Sequence, residues 1–292
     1  MVSDEAPGGV TDPAPSGLSD LSGLSGRQLL PITAATASHL DFRHTTGSTN
    51  TDLAAIAASL PHLAVVASLD QRSGRGRLDR RWSSPAGQTL AASVLLRPRT
   101  PSGGPLPDDA WAWFPLLAGT ALHGAIADLL PDADVTVKWP NDVQIRGLKV
   151  SGLLAELVAV DGAQDAVVMG AGLNLTIPPE HLPTPTSTSL AIEGAAGSAY
   201  EIADAVFASY LVRLDALVTT LGGDAGAAAV RQVVEAVCGT LGRRVRVELP
   251  DGTNRFGTAQ NLDDGGRLVV LEDDSSALLT VSAGDVTHLR YE

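Results

Sequence analysis

Between Asp70 and Trp82 the chain reads Asp70-Gln71-Arg72-Ser73-Gly74-Arg75-Gly76-Arg77-Leu78-Asp79-Arg80-Arg81-Trp82, with five arginines between positions 72 and 81. Guanidinium forks match carboxylates and phosphates, and interleaved glycines let backbone approach a ligand closely. The residues alone leave two readings open: a loop that closes over a small anion, and a solvated or RNA-touching basic turn. A second cluster runs Lys138-Trp139-Pro140-Asn141-Asp142 and then Gly147-Leu148-Lys149-Val150-Ser151-Gly152-Leu153-Leu154. Pro, Asn and Asp are ordinary turn formers and Trp is a packing anchor, so this segment also has a purely structural reading. Its lysines resist that reading, because Lys138 and Lys149 are the two lysines in a chain whose other eighteen of twenty lysine and arginine positions are arginine. A compact ammonium at Lys149 suits a transferring phosphate, and the Asp142 carboxylate suits a magnesium ion. Gly170-Ala171-Gly172-Leu173-Asn174 closes an apolar run with small residues and an amide, a pattern that permits close ligand approach or a tight sheet contact.

Taken in order, five pieces resemble the motifs of the biotin protein ligase family. They are Ser48-Thr49-Asn50, then Gln71 with Gly74-Arg75-Gly76-Arg77 and Arg80/Trp82-Ser83-Ser84-Pro85, then Lys138 to Asp142, Lys149 to Leu154, and Gly170 to Asn174. The resemblance is strong over residues 43 to 176, and Gly284-Asp285-Val286-Thr287-His288-Leu289-Arg290 is similar to the family's closing strand. It implies a ligase that activates biotin with ATP as biotinyl-5'-AMP and passes the biotin to a lysine of the biotin carboxyl carrier domain of an acyl-CoA carboxylase. Biotin and ATP are then substrates, with Mg2+ alongside. By the same resemblance Lys149, Arg75 and Arg77 are catalytic. Ser48, Thr49, Asn50, Gln71, Arg75, Gly76, Arg77, Lys149 and Gly152 contact biotin. Arg75, Arg80, Trp82, Asn141, Asp142, Lys149 and Asn174 serve ATP, and Asp142 holds the magnesium.

Two departures stand out. Asp79 replaces the glycine usual in the family's loop and puts an acid among arginines that should meet a phosphate, which bears on how the loop moves. Members that also repress transcription carry a helix-turn-helix domain before the Ser-Thr-Asn motif, whereas 47 residues precede Ser48 here, so no DNA-binding role is expected. Lipoate ligases and octanoyl transferases share a related fold, but the Gly-Arg-Gly-Arg loop and the Lys-Trp-Pro-Asn-Asp turn argue against them. A nucleic-acid-binding protein using the basic segment is the other rival; a net charge of −13 works against it.

These residues need a scaffold, and the pattern supplies one. Ser48-Thr49-Asn50 reads as the cap of a short helix, Leu63 to Leu69 and Gln88 to Arg97 as strands, and Asp109 to Leu130 as a long helix. Val135 to Lys138, Val150 to Val160 and Ala166 to Leu175 read as strands, and residues 198 to 238 as two Ala-rich helices. From Arg243 on, short strands are separated by Asp251-Gly252, Asp264-Gly265-Gly266 and Gly284-Asp285, the grammar of hairpins. The expected fold is α+β: a central mixed or antiparallel sheet with helices, of the class II synthetase-like kind the family resemblance implies, plus a small C-terminal SH3-like β-barrel. The expected divisions are a poorly ordered tail over 1–40, a biotin- and ATP-binding catalytic domain over 41–240 and the β module over 241–292.

Composition agrees with an enzyme of this kind. With 44% apolar residues over 292 positions the chain can bury a core. No run is apolar enough for a membrane span, and the acidic start is unlike a signal peptide, so a cytoplasmic protein without a membrane partner is expected. One cysteine excludes an intrachain disulfide, and six scattered histidines lack zinc spacing.

Overall fold

The computed structural model describes residues 23–78, 80–160, 163–286 and 288–291. The tail expected over 1–22, the departure at Asp79 and Thr287 of the closing strand lie outside the described residues. From Gly23 to residue 40, however, the expectation of a poorly ordered tail is corrected. Helices α1 (Gly26–Leu29) and α2 (Pro31–Thr36) precede strand β1 (His39–Phe42), and Leu29, Leu30 and Thr33 are buried. The reason is a distant partner: the buried carboxylate of Asp204 accepts the backbone N–H groups of Ile32 and Thr33 at 2.9 and 2.7 Å. Local composition carries no trace of a cap that is 171 residues away.

Helix α3 (Thr49–Ile56) begins where Ser48, in extended conformation, accepts from the Thr51 N–H. It leads to β2 (Ala64–Ser68), the two-residue strands β3 (Gly74–Arg75) and β4 (Arg81–Trp82), and β5 (Thr89–Leu96). The long helix expected from Asp109 is divided: a 3-10 segment, Asp108–Trp113, comes first, and α4 (Phe114–Leu129) starts with Pro115 in its first turn, where a missing N–H costs nothing. Strands β6 (Val135–Lys138), β7 (Asp142–Ile145), β8 (Leu148–Val160) and β9 (Ala163–Asn174) follow. Helix α5 (Ala199–Gly222), started by a Ser198/Glu201 capping box, and α6 (Gly226–Val237) complete this part.

The seven-stranded sheet has the order β1-β2-β5-β9-β8-β7-β6, with β1 parallel to β2 and every other pair antiparallel. All of β2 and β5 is buried, since both faces are covered. Leu53 of α3 packs with Ala64, Val66, Leu95 and Val168 on one face. Val65, Ala67, Val94, Leu96 and Met169 point to the other, into the larger core that holds α4 and α5. That is why these strands read as continuous rather than alternating apolar runs.

Strands β10 (Arg244–Glu248), β11 (Asn254–Leu262), β12 (Leu268–Glu272), β13 (Leu278–Val281) and β14 (His288–Tyr291) form a second, antiparallel sheet of order β13-β12-β11-β10-β14. The α+β architecture with a C-terminal antiparallel sheet is therefore as the sequence predicts. Two buried indoles fasten this sheet to the rest: Trp113 Nε1 donates to Asp264 O at 3.0 Å and Trp139 Nε1 to Gly266 O at 3.2 Å. The turn they grip needs its glycine, since Gly266 has φ +71° and Trp113 lies against it. No helix among the described residues is long and apolar enough to cross a membrane.

Candidate active site

A cavity of about 340 Å³ opens where the start of α3, the loop carrying β3 and β4, the turn between β6 and β7, the glycine-bearing stretches of β8 and β9, and β14 converge. Every site residue expected from sequence lines it except Asn174: Ser48, Thr49, Asn50, Gln71, Arg75, Gly76, Arg77, Arg80, Trp82, Asn141, Asp142, Lys149 and Gly152. Asn174 is 1% exposed at the end of β9, and its Nδ2 donates to Thr188 O at 2.9 Å. Its Oδ1 is buried and has no hydrogen-bond partner among the described residues, and the same holds for Ser151 Oγ and Trp82 Nε1. Buried polar atoms of that kind are expensive to leave unmet.

The floor is polar and tightly connected. Gln71 Oε1 accepts from the Thr49 N–H at 2.9 Å, Ser93 Oγ stands 2.7 Å from Thr49 Oγ1, and Ser93 donates to Asn50 Oδ1 at 2.5 Å. The α3 N-terminus thus turns its first residues into the cavity because Ser48 caps the helix and β5 supplies Ser93 beneath it. Over the wall, the Trp82 indole lies on β8 and β9 where both lack side chains: a Cβ at Gly172 would stand 2.4 Å from the ring and one at Gly152 2.9 Å.

Charge is the other property of the site. Seven of the chain's twenty lysines and arginines line the cavity (Arg75, Arg77, Arg80, Arg81, Lys138, Lys149 and Arg290), against one carboxylate, Asp142. Lys149 Nζ sits 2.7 Å from Asp142 Oδ1 and 5.5 Å from the Trp82 ring centroid. Arg77 donates to Asn141 Oδ1 at 3.3 Å and to the carbonyls of Ala283 and Val286, so its head is anchored to the C-terminal sheet rather than free in a loop. Burial, with Arg80 adding to it and Asp142 opposing, pulls the Arg77 guanidinium below its usual value. Burial likewise lowers Lys138, with Asp142 opposing and Lys149 and Arg290 adding repulsion. His288 is lowered by burial and by Arg80, Arg290 and Lys138, against Glu248. Three cations pushed toward neutrality mark a site built for an anion.

Sequence reasoning missed Ser93, Lys138 as a lining residue, His288, Arg290 and the acid Glu156 that grips Arg75. Lys138 carried a signal in being one of two lysines; the others come from strands whose neighbours only the fold supplies. The Trp-Pro-Asn-Asp turn serves both of the readings open in the sequence. Trp139 is buried as an anchor for the C-terminal sheet, while Asn141 and Asp142 face the cavity.

Residues 44–174 match the Biotin/lipoate A/B protein ligase family and residues 240–289 the Biotin protein ligase C terminal domain. A Mycobacterium tuberculosis protein named biotin acetyl-CoA-carboxylase ligase is 40% identical over 256 residues, covering 86% of this chain and 89% of that protein. A protein of the same name from Paracoccus denitrificans is 30% identical over 77% of this chain and 91% of its own length. In fold, the chain is similar to an Aquifex aeolicus biotin protein ligase solved with biotin and ATP, at a TM-score of 0.69 and 24% identity over 87% of this chain and all of the other.

Proposed function

The chain belongs to the biotin protein ligase family, and from that premise we infer how its own residues perform ATP-dependent ligation of biotin. Two anions must meet: an oxygen of the biotin carboxylate attacks the α-phosphorus of ATP, forming the acyl phosphate bond of biotinyl-5'-AMP as pyrophosphate leaves. The observation that carries the assignment is the excess of seven cationic side chains over one carboxylate around a single cavity. Lys149, beside Asp142 and the Trp82 ring, bridges the biotin carboxylate and the α-phosphate. Arg75 and Arg77 hold the same charges from the loop side. A fixed array of cations around one cavity costs little reorganisation at the moment of reaction.

Ser48, Thr49, Asn50 and Gln71, together with Gly76 and with Gly152, whose missing side chain lets Trp82 and Lys149 close in, form the biotin end, where a ureido ring needs each donor and acceptor met. Arg80, Trp82, Asn141 and Asp142 form the nucleotide end, whereas Asn174 lies outside the cavity lining and donates to Thr188 O instead. Among the described residues no group of three or more His, Cys, Asp or Glu side chains could hold a metal. Magnesium binds through one or two carboxylates plus substrate phosphates, so Asp142 would hold an ion arriving with the nucleotide, and that ion would supply positive charge to the phosphates. In the second half-reaction the amine of a lysine on the biotin carboxyl carrier domain of an acyl-CoA carboxylase attacks the acyl carbon and AMP leaves. The free, buried Cys238 suits the cytoplasm.

Incorporation of labelled biotin into a carrier domain with ATP and magnesium tests this. The native chain labels the carrier, and Lys149→Ala loses about a thousandfold in rate, the order expected when a preorganised charge at the reacting phosphate is removed. A well-folded native chain that labels nothing overturns the reading.

A further inference from the structure

We propose that Glu156 is a positioning residue that ties the arginine of the loop to the floor of the biotin pocket; the proposal rests on the ligase reading above. Glu156 is the one acid of strand β8 and interrupts its apolar run from Leu153 to Val160. Arg75 Nη2 donates to both of its carboxylate oxygens at 2.7 Å, and Asn50 Nδ2 donates to Oε2 at 2.7 Å. Asn50 is in turn fixed by Ser93, and its amide can enter only because position 170 is glycine: a Cβ there would stand 2.2 Å from Asn50 Oδ1. One carboxylate therefore holds a loop residue and a floor residue together.

The arrangement leaves Arg75 able to work. All its bonds to Glu156 run through Nη2, so Nη1 and Nε have no partner among the described residues and can take an anion while the guanidinium stays tethered. The pair is half-exposed, with side-chain exposures of 49% and 31%, so it adds little to stability by itself. Its effect is on where Arg75 waits. Without the tether the loop loses its hold on the floor, and water reaches the mixed anhydride: the water oxygen adds to the acyl carbon, AMP leaves, and biotin is released instead of transferred.

The test uses the full chain with Glu156→Gln and Glu156→Asp, measuring the biotin KM, the pyrophosphate released per biotin transferred to a carrier domain, and the thermal midpoint without ligand. Glu156→Gln is expected to raise the biotin KM about tenfold to a hundredfold, the cost of a misplaced binding group. It is also expected to release several pyrophosphates per transferred biotin while keeping the native midpoint. Glu156→Asp, which keeps the charge but not the reach, falls between. Native KM and native coupling in Glu156→Gln overturn the proposal, as does a loss of both half-reactions that merely tracks a lowered midpoint. A native chain that releases no pyrophosphate overturns instead the ligase reading, and the proposal with it.

Discussion

The indole of Trp82 rests on two glycines, Gly152 and Gly172, and these positions decide how far it can reach into the cavity. At Gly172 a methyl group would stand 2.4 Å from the ring, so the ring must move. Gly172→Ala is therefore expected to displace Trp82 at a cost of about 1–3 kcal/mol, typical of overpacking. In steady-state kinetics the ATP KM should rise about tenfold while the biotin KM changes less. Equal effects on both substrates would place Trp82 elsewhere than the nucleotide end. Legibility at this scale follows rarity. Lys149 and the Arg75/Arg77 pair are visible in the sequence because a lysine in an arginine-writing chain and a Gly-Arg-Gly-Arg run are unusual wherever they occur. Glu156 and Ser93 are ordinary residues on apolar strands; they acquire a role only from side chains that other strands and the α3 cap bring beside them.

Elements were legible where their signals are local. Ser48 caps α3 and Ser198 caps α5 in the chain's own neighbourhood, and turn residues punctuate the C-terminal strands. The order of α2 was not legible, because its cap comes from α5. Asp204→Ala leaves the Ile32 and Thr33 N–H groups without their acceptor in a buried place, which costs about 1–3 kcal/mol. The expected outcome is a lower thermal midpoint with unchanged biotin KM, since α2 stays away from the cavity; a native midpoint would show that the cap is dispensable. Helix α4 carries a second device. His123 is held below its usual 6.5 mainly by burial, with Arg213 adding to this and a bond to the Val135 backbone opposing. The unfolded chain then binds a proton that the folded chain does not. Stability therefore falls as pH drops through about 6.5, and levels off once pH is below the folded value. Thermal midpoints measured from pH 8 downward should show this decline, and His123→Gln should flatten part of it.

Across the whole molecule a chain of net charge −13 gathers seven of its cations around one cavity. The exterior field repels an anionic substrate while the cavity attracts it, and over a screening length of about 8 Å at physiological salt the cavity dominates only at close range. Burial lowers Arg77, Lys138 and His288, and the concentration of charge adds to it through their cationic neighbours. His288 and Arg290 reach the cavity only because Trp113 and Trp139 dock the C-terminal sheet, and with it β14, against it. No segment of sequence holds that juxtaposition, which is why His288 could not be foreseen. Burial is the main cause of the depressed His288, but when a polyphosphate enters, the repulsion that Arg80, Arg290 and Lys138 add to it is offset, so its proton affinity rises. Binding and proton uptake are then linked: ATP binds more tightly as pH falls through the ligand-bound value of His288, and the gain ends below its free value. Calorimetry of ATP binding near pH 6.5 in two buffers of different ionisation enthalpy should report a net proton taken up, and His288→Gln should reduce that uptake while leaving biotin binding as it was. Equal uptake in the variant would mean that the triphosphate does not reach β14, and would confine the nucleotide to the residues of the seven-stranded sheet and its loop.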